Sequence, residues 1–133
     1  MSAGPASRSV IVADDDPDIR TLVAIAVARA GLELIDELPD GNSAWEAIQS
    51  FIPDIVVLDV SMPGMTGLEI SRLIRGDDTL QGMHVILLSA GVDATSHQNG
   101  LDAGANEYLF KPFSPRDLAE KLTHLAARLQ DSQ

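Results

Sequence analysis

Cysteine is absent from the 133 residues, so neither a disulfide framework nor a thiolate metal site can form. Aromatic residues are scarce, with one Trp, one Tyr and three Phe, which leaves the core to aliphatic side chains. Basic residues are few: 9 Lys and Arg stand against 20 Asp and Glu, for a formal net charge of −11. A domain this acidic is a poor binder of nucleic acid by itself, because phosphate contacts need Lys and Arg. No direct nucleic-acid binding is expected. No apolar run approaches the roughly 18 residues needed to span a bilayer, so no membrane association is expected either. The opening MSAGPASRS lacks a charged segment followed by an apolar core, the mark of a secretion signal, and a cytoplasmic location is expected. Residues 1–7 are read as a flexible N-terminal tail, 8–130 as one domain and 131–133 as a C-terminal tail.

What the chain does have is alternation. Apolar runs at 10–12, 55–58, 85–88 and 108–110 are short, partly β-branched or aromatic, and not alternating. Strands of a parallel sheet covered on both faces look like this. A fifth run, ELIDEL at Glu33–Leu38, alternates polar with apolar and suits a half-exposed edge strand. Helical patterns lie between. Asp16-Pro17 reads as a cap with Pro at the first helical position, then Ile19, Leu22, Val23, Ala26 and Ala30 follow helical spacing up to Gly31. SAWE (Ser43 to Glu46) and TGLE (Thr66 to Glu69) both fit the capping box, and Trp45 is expected to serve packing. A short, mobile helix is expected over 93–103. The last helix opens at Ser114-Pro115 and carries Leu118, Leu122, Leu125 and Leu129 on one stripe. Five strand–helix repeats predict an α/β fold with a doubly wound parallel sheet.

Each core strand ends in a particular polar residue: Asp14, Asp15 and Asp16 after the first, Asp59 after the third, Ser89 after the fourth, Lys111 after the fifth. Sites in open parallel sheets form beyond the carboxyl ends of the strands. If the first and third strands are neighbours, Asp14, Asp15 and Asp59 share one acidic pocket flanked by Ser89 and Lys111. Clustered carboxylates with oxygen-only partners suit a hard cation such as Mg²⁺. A carboxylate beside that cation can take up a phosphoryl group as an acyl phosphate, with a lysine and a hydroxyl meeting the phosphoryl oxygens. Plainer readings stand beside this one. The aspartates could be caps, Asp59 could begin the turn before Met62-Pro63-Gly64, and Tyr108 could be ordinary packing. VADDD also fits the D-x-D nucleophile motif of haloacid dehalogenase-type phosphatases, although no acidic pair follows the lysine. His84, His97 and His124 share no spacing and are read as surface or satisfied residues.

The motifs VADDDPDIR, PDIVVLDVSMPGMTGLE, VILLSA and GANEYLFKPF, in this order, resemble the receiver domains of two-component response regulators over roughly residues 8 to 130. The resemblance implies a flavodoxin-like, five-stranded sheet of order 2-1-3-4-5 with five helices. It implies that Asp59 is the phosphoacceptor. Asp15 is then the direct Mg²⁺ ligand, with Mn²⁺ able to substitute, and Asp14 acts partly through water. Ser61 offers its backbone carbonyl to the metal. Lys111 binds the phosphoryl group, Ser89 is the switch hydroxyl and Tyr108 the switch aromatic. Asp16 matches a variable position and keeps only its cap. The Lys111-Pro112 bond is expected to be cis, and Ser61 and Gly91 fall where phosphoryl lifetime is tuned. The implied phosphodonor is a phosphohistidine on a sensor histidine kinase or a histidine phosphotransfer protein. The implied output face is the fourth helix, fifth strand and fifth helix, which could also form a homodimer. Such a domain is not an enzyme, since it promotes only its own phosphorylation and dephosphorylation. It is either a single-domain regulator or the receiver part of a longer protein.

Overall fold

The computed structural model describes residues 8–90 and 94–131. Gly91, residues 1–7 and 132–133, and the side chains of His97 and Leu129 lie outside the described residues. Five strands alternate with five α-helices: β1 (Ser9–Ala13), α1 (Pro17–Arg29), β2 (Glu33–Leu38), α2 (Gly41–Phe51), β3 (Ile55–Asp59), α3 (Gly67–Arg75), β4 (His84–Ser89), α4 (Ala94–Asp102), β5 (Glu107–Phe110) and α5 (Pro115–Asp131). A 3₁₀ turn at Asp78–Leu80 precedes β4. The strands form one parallel sheet of order β2-β1-β3-β4-β5, as the resemblance implied.

The unbroken apolar runs of β1, β3 and β4 arise because successive side chains enter two different cores. Val10, Val12, Ile55, Val57, Ile86 and Leu88 join Val23, Ala26 and Val27 of α1 and Leu118, Leu122 and Leu125 of α5. Ile11, Ala13, Val56, Leu58, Val85 and Leu87 join Ala44 and Ile48 of α2 and Ile70 and Ile74 of α3. These strand residues are all fully buried, and each large aliphatic side chain so buried contributes about 1.5–3 kcal/mol. The edge strands β2 and β5 are only half covered. Trp45 is partly buried against the second of these cores, a packing role as expected.

Helix ends follow their capping chemistry. Asp16 accepts a hydrogen bond from the Asp18 amide at 2.9 Å, with Pro17 opening α1, and Gly31 adopts φ +76° just past its end. Thr66 and Glu69 form a complete capping box on α3. The second box expected from sequence is not formed. Asp40, not Ser43, caps α2, accepting from the Ser43 amide at 2.7 Å and the Ser43 hydroxyl at 3.0 Å. An ionised carboxylate three residues upstream outcompetes the serine, so the helix begins at Gly41 and Ser43 becomes a donor in its first turn. His84 also departs from expectation. Its side chain is only 12% exposed and Nε2 has no hydrogen-bond partner, with Glu107 Oε2 3.8 Å away. Burial pushes its imidazole pKa down to about 4, against the pull of Glu107.

Candidate functional site

Because β1 lies beside β3, Ala13 pairs with Leu58, and the next residues, Asp14 and Asp59, emerge together at the carboxyl edge of the sheet. Both are buried, at 0% and 5% exposure, whereas Asp15 is exposed. Lys111, just beyond β5, reaches across: its Nζ lies 2.9 Å from Asp14 Oδ2 and 3.4 Å from Asp59 Oδ1.

Each carboxylate is aimed by its own backbone surroundings. The Asp14 amide donates to Leu38 O at 3.1 Å, Arg20 Nη1 donates to Asp14 O at 2.7 Å, and the Asp16 amide donates to Asp14 Oδ1 at 2.9 Å. The Ser61 amide donates to Asp59 Oδ1 at 3.3 Å. Behind Asp59 the first turn of α3 packs so closely that a Cβ on Gly67 would overlap the Asp59 carbonyl oxygen. Lys111 is anchored by its amide, which donates to Ser89 O at 2.7 Å. The Lys111-Pro112 bond is cis, as expected.

The electrostatics are those of crowded charge. Burial, then the neighbouring Asp14 charge, push the Asp59 pKa from 3.8 up to about 6, while Lys111 and the Ser61 amide pull it back. Burial works against the Lys111 ammonium, but the Asp14 and Asp59 carboxylates outweigh it and hold its pKa above the ordinary lysine value. One ammonium thus serves two buried carboxylates. Asp14 Oδ2 is fully buried and meets the Lys111 ammonium at 2.9 Å. Two buried carboxylates on one ammonium leave an excess negative charge, which is costly unless a further positive charge meets it. Asp14, Asp15 and Asp59 each offer an oxygen within 4.8 Å of the others, an all-oxygen donor set that fits a hard divalent cation. The residues present therefore suit a divalent metal.

Of the residues singled out in sequence, Asp14, Asp15, Asp59 and Lys111 converge. Ser89 ends β4 beside them, buried at 7% exposure and paired in register with Phe110. Tyr108 stands apart. Its ring is half-buried, packs against the core on the α2–α3 side, and lies 5.3 Å from the Phe110 ring. Asp16 is exposed and spent on the α1 cap, so the D-x-D pattern does not form a paired-carboxylate site. Sequence reasoning assigned no role to Arg20 or Gly67, which fix the backbone at Asp14 and Asp59. Both lie inside quoted motifs, but a contact to a distant carbonyl leaves no periodic trace.

Comparison with known proteins agrees with this geometry. The family model described as "Response regulator receiver domain" matches residues 10–123. The chain is 32% identical over 124 residues to the DNA-binding response regulator MtrA of Mycolicibacterium smegmatis, covering 93% of this chain and 53% of that protein. It is thus about half the length of the relatives it matches. Among solved structures, the signal receiver domain of the putative response regulator NarL from Mycobacterium tuberculosis superimposes with a TM-score of 0.83 at 29% identity, covering 92% of this chain and 98% of that one. The chemotaxis response regulator CheY4 of Vibrio cholerae gives 0.82 at 29% identity, covering 90% and 99%. With the doubly wound sheet, the acidic cluster and the bridging lysine in place, the chain belongs to the response regulator receiver domain family.

Proposed function

We propose that this domain takes a phosphoryl group from a phosphohistidine of a sensor histidine kinase or histidine phosphotransfer protein onto Asp59. The observation that carries this reading is the Lys111 ammonium standing between the buried Asp14 and Asp59 carboxylates, beside which Asp15 completes an all-oxygen cluster. An Asp59 carboxylate oxygen attacks phosphorus, the N–P bond of the donor breaks, and the imidazole leaves with the electron pair. Lys111 turns from Asp59 to the phosphoryl oxygens, and the Ser89 hydroxyl donates to one of them. Asp14, Asp15, Asp59 and the Ser61 carbonyl would hold Mg²⁺, or Mn²⁺ in its place. Bound there, the cation offsets negative charge on the transferring group. Ser89 and Tyr108 then shift toward the phosphoryl group and alter the α4–β5–α5 face, through which two copies can pair. Receivers of this family are phosphoacceptors rather than enzymes acting on an external product. Among the described residues no helix is long and apolar enough to cross a membrane.

The test is intact mass after incubation with acetyl phosphate, with and without Mg²⁺, on wild type and Asp59→Asn. A Mg²⁺-dependent phosphoryl adduct absent from the variant is expected. An adduct at full yield in Asp59→Asn, or one mapped to Asp14, would overturn the assignment.

A further inference from the structure

α4 carries a glycine inside its length, Gly100. A glycine in a helix interior weakens folding about fivefold relative to alanine, so its presence calls for a reason. No turn requires it, for Gly100 is helical and is not among the glycines with positive φ. It is buried, and the volume where its Cβ would stand is taken. A Cβ there would overlap Cδ2 and Cε2 of the Tyr108 ring and come within 3.3 Å of Leu87 Cδ1. Tyr108 and Leu87 are register partners on β5 and β4, so the ring and the leucine form one surface against which the helix rests.

We infer that Gly100 is the positioning residue for Tyr108: its missing methyl makes a notch in α4 that seats the ring and locks ring and helix together. The seated ring sets how closely α4 approaches β5, and a ring that swings away must carry the helix with it or leave the notch empty. This rests on reading Tyr108 as the switch aromatic, and adds the part of the helix that senses it. The ring pivots about χ1, so a methyl at Gly100 displaces the ring outward before it displaces backbone.

The experiment is a double-mutant cycle by urea unfolding on wild type, Gly100→Ala, Tyr108→Ala and the double variant, all without metal or phosphodonor. It is joined to ¹⁹F spectra of wild type and Gly100→Ala made with 3-fluorotyrosine. Tyr108 is the one tyrosine of the chain, so a single resonance reports it. In the Tyr108→Ala background, Gly100→Ala should raise the folding constant about fivefold, the ordinary helix gain. With the ring present the same change should lower it, and the ¹⁹F signal should gain solvent exposure. An equal effect of Gly100→Ala in both backgrounds overturns the notch, as does an unmoved ¹⁹F signal in a folded Gly100→Ala. If Gly100→Ala fails to fold, recovery in the double variant supports the notch, and failure of both overturns it. Wild type with Mg²⁺ and beryllofluoride tests the receiver reading separately. An unresponsive wild type would sink that reading and leave the result of the cycle intact.

Discussion

Asp59 is held in a costly state. Its folded pKa of about 6 lies above the ordinary 3.8, so the native state binds the proton more tightly than the unfolded chain. Below pH 3.8 both states are protonated and no penalty exists. Between 3.8 and about 6 the native carboxyl is forced to ionise later than the unfolded one, and stability falls as pH rises. Above 6 the penalty is constant, at about 2–3 kcal/mol from the size of the shift. Asp59→Asn should therefore stabilise the metal-free protein by that amount at pH 7 and by almost nothing at pH 3.5. His84 acts in the opposite direction, because its depressed pKa of about 4 makes stability fall as pH drops from 6.5. The difference between wild type and Asp59→Asn, measured by urea unfolding across pH 3.5–7.5, cancels that contribution. A variant less stable than wild type at pH 7 would show that Lys111 gains more from Asp59 than burial costs.

At the level of elements, the loops behind the sheet edge are tied by a few strong donors. Arg75, in the last turn of α3, donates from Nε to Gly104 O at 2.7 Å and from Nη1 to Met83 O at 2.8 Å and Gln81 O at 3.3 Å. Its Nη2 meets Asn106 Oδ1, which also accepts from the Val85 amide at 2.8 Å. One guanidinium thus joins α3, the turn before β4 and the α4–β5 loop. Arg75→Met keeps the aliphatic stem but strands the two part-buried carbonyls, of Gly104 and Met83, and should cost about 2–6 kcal/mol by urea unfolding, at about 1–3 kcal/mol per unsatisfied group. A loss below about 1 kcal/mol would mean that water replaces the guanidinium. Elements were legible where their signals are local. The Asp16 and Thr66 caps, the half-exposed ELIDEL strand and the leucine stripe of α5 came from spacing alone. The start of α2 was misplaced because Asp40-Gly41 also reads as a turn. The left-handed Ile52, at φ +46°, carried no glycine to mark it.

Over the whole molecule, a net charge of −11 includes one cluster at the carboxyl edge of the sheet, where three carboxylates lie together and one ammonium pairs with two of them. A divalent cation that binds only the folded state stabilises it by mass action, about 2.7 kcal/mol at a hundredfold excess over Kd. Millimolar-scale Mg²⁺ should raise the melting temperature of wild type, and raise it less in Asp15→Asn, whose exposed side chain leaves the core untouched. NaCl at matched ionic strength separates binding from screening. Equal response to both salts, or none, would count against the metal site. From the linear chain alone came the alternation of elements, the two-faced burial of the core strands and the polar residues at their ends, because periodicity and strand-end position are properties of neighbours in sequence. The strand order needed a family resemblance, since apolar runs of equal character carry no label of their partners. The ion pairs of Lys111, the raised pKa of Asp59 and the seat of Tyr108 on Gly100 could not be read that way. Each depends on distances and desolvation between residues far apart in sequence, and those exist only once the sheet has brought its strand ends together.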